Sequence, residues 1–147
     1  MDAFRTVLAK AVMVGVLLSS VTVMPAAAAT RTWTGGPGGL WSVDSNWVEG
    51  TAPGDGDDLV FNGGSTTSTN DLTLSIATFT FGNSDHIVSG SGFTVTGGIS
   101  VTAAGLHVIN PQVTLGADQT WSMAVGGMFV QHVDPVSYTH LRAPRPY

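Results

Sequence analysis

From Leu59 onward the apolar residues fall in short runs with Ser or Thr between them. Leu72–Ile76 reads LTLSI, Phe79–Phe81 FTF, Phe93–Val95 FTV, Ile99–Val101 ISV, Val113–Leu115 VTL and Trp121–Met123 WSM. Alternation of this kind puts every second side chain on one face of an extended chain and the hydroxyls on the other, as in a half-buried strand. Gly82–Asn83, Gly90, Gly97–Gly98, Gly105, Asn110–Pro111, Gly116 and Gly126–Gly127 punctuate the gaps and predict turns. No window after residue 29 carries the 3.6-residue period of a helix, so the fold class expected is all-β.

The pattern also repeats. Thr78–Val95 aligns with Gln112–Val130 at an offset of 34 residues, which becomes 35 after one insertion. Phe79 then falls on Val113, Thr80 on Thr114, Phe81 on Leu115, Gly82 on Gly116, Phe93 on Met128 and Val95 on Val130. A β unit of this length predicts the coils of a parallel β-solenoid with a 34–35-residue period, each coil burying its apolar face only against its neighbours.

The two ends read differently. In residues 1–29, Arg5 and Lys10 precede the apolar run Ala11–Val23, and Pro25 with Ala26–Ala29 supplies small residues for a scission site. This is the layout of a secretory signal peptide, with cleavage expected after Ala29. The apolar run is 13 residues, short of the ~20 that a membrane-spanning helix needs. No later segment is apolar enough to cross, so no transmembrane segment is expected in the mature fragment. At the other end, Val136–Ala143 (VSYTHLRA) resembles a translated sequencing-library adapter of the kind found at the ends of metagenomic reading frames. Residues 136–147 are therefore read as a non-native tail, and the solenoid is expected to be incomplete at its C-terminus. The organisation expected is a signal peptide at 1–29, a Trp/Gly-rich N-terminal cap at 30–61, β-strand repeats at 62–135 and the tail at 136–147.

Charge narrows the function. Residues 30–135 hold nine acidic residues against the single base Arg31, a balance of −8, and no lysine. Phosphate contacts need Lys or Arg, so nucleic acid is excluded as a partner, and an anionic membrane surface fails on the same ground. The chain has no cysteine, which removes disulfides and thiolate metal sites. Charged residues make up only 10% of the chain while hydrophobic ones reach 43%. Such a composition suits short strands and tight turns better than disorder.

Candidate chemistry is sparse. Trp33, Trp41 and Trp47 lie within 15 residues of one another. They suit a plug over the open end of a β-structure, whose first coil lacks a neighbour. The competing reading is a glycan-contacting aromatic platform, because indole faces stack on sugar C–H surfaces. Asp55, Asp57 and Asp58, in APGDGDD, offer hard oxygen ligands of the type Ca²⁺ takes, but they lack the remainder of an EF-hand loop. An Asx turn leading into a strand is the plainer expectation. His86, His107, His132 and His140 show no metal-binding spacing and read as satisfied strand histidines. No catalytic residue, cofactor site or metal site is expected, and the fragment does not read as an enzyme. The carboxylates outside the turn are scattered, and no nucleophile elbow or phosphate loop is present.

Two stretches carry a resemblance. TWTGG…LWSVDSNWVEGTAPGDGDDLVF and FGNSDHIVSGSGFTVTGGISV…INPQVTLGADQTWSMAVGGMFV, together roughly residues 32–130, resemble the N-terminal block and the repeat of autotransporter-associated β-strand repeat proteins. The resemblance implies a right-handed parallel β-helix passenger exported by a Gram-negative bacterium. Such a passenger would be outer-membrane-associated, displayed at the cell surface or extracellular. The role implied is structural or adhesive, with glycans or other cell-surface components as partners. A carbohydrate-binding module using the Trp block, and a fragment of a β-helix polysaccharide lyase or hydrolase, are the alternatives. The family's C-terminal membrane barrel has no counterpart in this sequence.

Overall fold

The computed structural model describes residues 28–124 and 127–135; residues 1–27 of the signal peptide expected at 1–29, and the whole of the tail expected at 136–147, lie outside them. Ten strands follow in order: β1 (Thr30–Thr32), β2 (Gly39–Leu40), β3 (Asp58–Phe61), β4 (Thr67–Asn70), β5 (Ser75–Phe81), β6 (Ile87–Gly90), β7 (Phe93–Val101), β8 (Leu106–Leu115), β9 (Ser122–Met123) and β10 (Gly127–Pro135). A single 3₁₀ turn at Asp44–Asn46 is the helical element among the described residues.

Every ladder between these strands is parallel. The strands form one sheet, ordered β1-β3-β5-β7-β8-β6-β4-β2, with β9 on β7 and β10 on β8. That sheet curls into a β-solenoid with three faces. One face stacks β1, β3, the second halves of β5 and β7, and β9. The next stacks β2, β4, β6 and the first halves of β8 and β10. The third stacks the first halves of β5 and β7 on the second halves of β8 and β10. The long strands turn a corner midway, at register shifts between Ile76 and Thr78 and between Val130 and His132.

The coil is shorter than the sequence repeat suggests. Leu59 pairs with Phe79 and Phe79 with Ile99, twenty residues apart each time. Ile87 pairs with Val108 twenty-one residues on, and Ser100 with Ser122 twenty-two residues on. With Ile76 paired to Val95 nineteen residues on, the 34–35-residue period is corrected to 19–22 residues. Val113, which the alignment set over Phe79, instead pairs with Phe93 on the third face. All three faces use the same alternation of inward apolar and outward hydroxyl residues. The self-alignment consequently matched a strand of the first face to one of the third, both ending at a glycine corner.

Inward positions stack like upon like along the axis. Leu59, Phe79 and Ile99 form one buried column, Phe61, Phe81 and Val101 a second, and Ile76, Val95 and Leu115 a third. Phe61 and Phe79 lie face to face at 4.8 Å. Each such side chain contributes about 1.5–3 kcal/mol by leaving water. The corners demand small residues: Gly90 has φ +98°, and a Cβ there would sit 2.1 Å from the Asn70 carbonyl oxygen of the preceding coil. Asn70 itself is buried at a corner, donating to the Ser91 carbonyl and accepting from the Leu72 N–H.

The first coil departs from the rule. Arg31 pairs with Leu59 twenty-eight residues on, and Gly39 with Ser68 twenty-nine residues on. The extra chain folds across the end of the solenoid, and it carries most of the residues singled out from the sequence.

Candidate functional site at the capped end

Trp33 follows β1, Trp41 follows β2 and Trp47 follows the 3₁₀ turn. All three are buried, with 0%, 0% and 2% of their surface exposed. Trp33 and Trp47 meet edge to face at 5.2 Å, and Trp41 and Trp47 at 6.2 Å. Trp41 reaches deepest, lying 5.7 Å from Phe61, 6.0 Å from Phe79 and 5.6 Å from Phe93. The tryptophans thus continue the aromatic column of the core and close its end. Gly35 is required by this packing, since a Cβ there would fall 2.5 Å from the Trp33 ring.

A sugar-stacking platform needs an exposed indole face, and none of these three offers one. The glycan-contacting reading of Trp33, Trp41 and Trp47 is accordingly corrected in favour of the plug. The Trp47 indole N–H donates to the Trp41 carbonyl at 2.8 Å. Those of Trp33 and Trp41 are buried without an acceptor among the described residues.

The plug also covers the backbone. An open solenoid end presents the unpaired polar groups of an edge strand. Here Trp33 and Trp47 form an antiparallel bridge, and residues 46–48 run along the outer side of β1. Val48 N–H donates to the Thr32 carbonyl at 2.9 Å, and Thr34 N–H to the Asn46 carbonyl at 2.9 Å. The Thr32 N–H is taken by the Glu49 carboxylate at 2.8 Å, and the Leu40 carbonyl by the Asn46 amide at 2.8 Å. Side chains therefore occupy edge groups that a second chain would otherwise pair. Replacing Asn46 and Glu49 together by alanine is expected to shift the protein toward dimers or larger species at micromolar concentration. Light scattering after size exclusion reads this directly, and an unchanged monomer would remove the edge-blocking role.

The acidic turn does not converge on a point. Asp55 accepts the Ser75 N–H at 2.8 Å, and Asp58 accepts the Thr78 hydroxyl. Asp57, buried, accepts the Ala29 N–H on one oxygen at 2.8 Å, and Arg31 Nε at 2.8 Å and the Gly54 N–H at 2.9 Å on the other. Burial pushes the Asp57 carboxyl up, but Arg31 and the two N–H donors outweigh it and hold the group below the usual value. Among the described residues no group of three or more His, Asp or Glu is placed to hold a metal ion. The Ca²⁺ reading of Asp55, Asp57 and Asp58 is corrected for this reason: Asp57 is taken up by Ala29, Arg31 and Gly54, while Asp55 and Asp58 bond separate groups of β5, at Ser75 and Thr78. The same use recurs at Asp71, which accepts the Ser42 N–H and hydroxyl, and at Asp85, which accepts the Leu106 N–H.

Two histidines make contacts the sequence did not announce. His86 and His107 are fully buried on neighbouring coils. The Ser68 hydroxyl lies 3.0 Å from His86 Nε2, and the Asn83 amide 3.4 Å from Nδ1. The His86 backbone N–H donates to His107 Nδ1 at 3.4 Å, and His107 Nε2 faces the Ala103 carbonyl at 3.5 Å. The partners of His86 suit a neutral ring carrying the proton on Nε2. Phe61 packs on His86 at 4.5 Å and Phe81 stacks on His107 at 4.6 Å. The serine–imidazole contact has the spacing of a nucleophile and its base, but Ser68 is 1% exposed. With no route for a substrate, the pair is part of the core. Eighteen residues separate the partners, so only the coil length could have revealed it.

The third face carries a shallow groove of about 200 Å³, lined by Thr73, Thr94, Gln112 and Thr114 over Leu74, Gly92 and Phe93. Its lining has no charged group. Set against protein-family models, curated proteins and solved structures, the chain matches none.

Proposed function

We propose that the chain is an exported bacterial β-solenoid passenger with a structural or adhesive role at the cell surface. The observation that carries this reading is how the polar and aromatic side chains are used. Trp33, Trp41 and Trp47 plug the end, His86 and His107 lie in the core, and Asp55, Asp71 and Asp85 cap backbone groups of neighbouring coils. What remains outward is a set of neutral faces bearing residues such as Thr80, Ser100 and Ser122 on one side and Thr94 and Thr114 on another. Such faces suit many weak contacts better than one deep site. The leader-like residues 1–29 and the resemblance to autotransporter-associated repeat proteins support export. No helix among the described residues is long and apolar enough to cross a membrane.

The groove on the third face favours a second reading, contact with a neutral glycan. Its hydroxyl and amide lining matches sugar hydroxyls, and it relocates carbohydrate binding away from the buried tryptophans. Both readings are tested by expressing the full chain in a Gram-negative host, fractionating the cells and applying the exported protein to a polysaccharide and cell-binding array. Retention in the cytoplasm would overturn export. Export without retention on any cell or polysaccharide would overturn adhesion and leave a purely structural role.

A further inference from the structure

Two peptide bonds in the small-residue run satisfy the requirement for small side chains one and three positions before the cut. One is Ala28–Ala29 and the other is Ala29–Thr30. Sequence alone favours the second. The fold distinguishes them, because Ala29 is already part of the first coil. Its N–H donates to Asp57 Oδ1 at 2.8 Å, and its carbonyl accepts the Asp58 N–H at 2.9 Å. A cut after Ala29 would remove both bonds and leave one oxygen of a buried carboxylate without its donor, which is costly.

We infer that the leader is cut between Ala28 and Ala29, so that the mature chain begins at Ala29 and its new α-ammonium pairs with Asp57. The step is hydrolysis of one peptide bond: water adds across it, Ala28 keeps the carboxylate and Ala29 takes the amine. The nitrogen that becomes the ammonium is the atom that already faces Asp57 Oδ1, so the contact becomes charge-assisted without rearrangement. Charge supports this too. Asp57 and Glu49 both interact with Arg31, the one base of residues 30–135. A second cation at Ala29 balances two carboxylates with two positive groups.

The inference rests on the export reading, and its test separates the two. The full chain is produced in a Gram-negative host, and the exported form is examined by intact mass and N-terminal sequencing. A chain starting at Ala29 is expected. A start at Thr30, or anywhere else, overturns the cut site while export stands, whereas an unprocessed cytoplasmic chain overturns export and the cut with it. The pairing has its own readout, because Lys10 is the sole lysine of the sequence and leaves with the leader. The α-amine is then the only primary amine of the mature chain. An ion-paired ammonium of this kind should react with an acylating reagent about tenfold more slowly in the folded protein than in urea. Equal rates would overturn the pairing even if the chain starts at Ala29.

Discussion

Replacing Trp41 by alanine is expected to lower the stability of the protein by roughly 3–5 kcal/mol, the range for removing a large aromatic from a packed core. Trp41 is fully buried and touches aromatic residues from three successive turns: Trp47 of the cap, Phe61 and Phe79 of the first face, and Phe93 of the third. The lost area leaves a void bounded by rings that are themselves fixed by their neighbours, so little collapse can fill it. In a solenoid each coil is supported mainly by adjacent coils, and damage to the terminal coil propagates inward. Trp121, partly buried at the opposite end, should cost clearly less when replaced in the same way. Urea unfolding of the two variants measures the contrast. If Trp41→Ala unfolded within 1 kcal/mol of the parent, the plug described here would not be what closes the core.

The contrast between the two ends shows what was legible in the sequence. Period-two alternation at Phe79–Phe81 and Phe93–Val95 specified strands with one buried face, and these are the strands that form. The Trp block was readable as a cap because three indoles beside glycines have few other uses in a chain so poor in charge. The coil length was not readable, since Thr78–Phe81 and Gln112–Leu115 carry the same pattern on different faces and only the register separates them. The same ignorance of register hid the Ser68–His86 contact. It also hid the partners of Asp55, Asp57 and Asp58, which looked like one cluster but bond separate groups, Asp57 at the start of β1 and Asp55 and Asp58 at two points along β5. Side-chain roles in a solenoid depend on what lies one coil away, about twenty residues along the chain, and local spacing does not encode that.

Stability is expected to fall in two steps on acidification, the first of them set by His86. Burial, and after it the charge of His107, push His86 from an ordinary 6.5 down to about 4. The folded value lies below the unfolded one, so between them the unfolded chain binds a proton that the folded chain refuses. The contribution of neutral His86 is therefore complete above pH 6.5, is lost as pH falls toward 4, and is gone below that. At about 1.4 kcal/mol per pKa unit this amounts to about 3 kcal/mol. The groups facing the ring give no relief: Ser68, Asn83, His107, Phe61 and Phe81 surround it, and the neighbouring carboxylate, Asp85, is engaged by the Leu106 N–H. The second step comes from Asp57, Asp71 and Glu49. Burial raises each of them, but hydrogen bonds, joined at Asp57 and Glu49 by the charge of Arg31, lower them further. Their stabilisation is present above the ordinary carboxylate range and lost below it. Urea midpoints measured from pH 7 to pH 4 should show the first loss, and His86→Phe, which keeps an aromatic ring against Phe61 and Phe81, should flatten it. Proton NMR of the parent protein gives an independent reading that does not require the variant to fold: a His86 ring resonance that titrated near pH 6.5 in the native state would contradict the assignment.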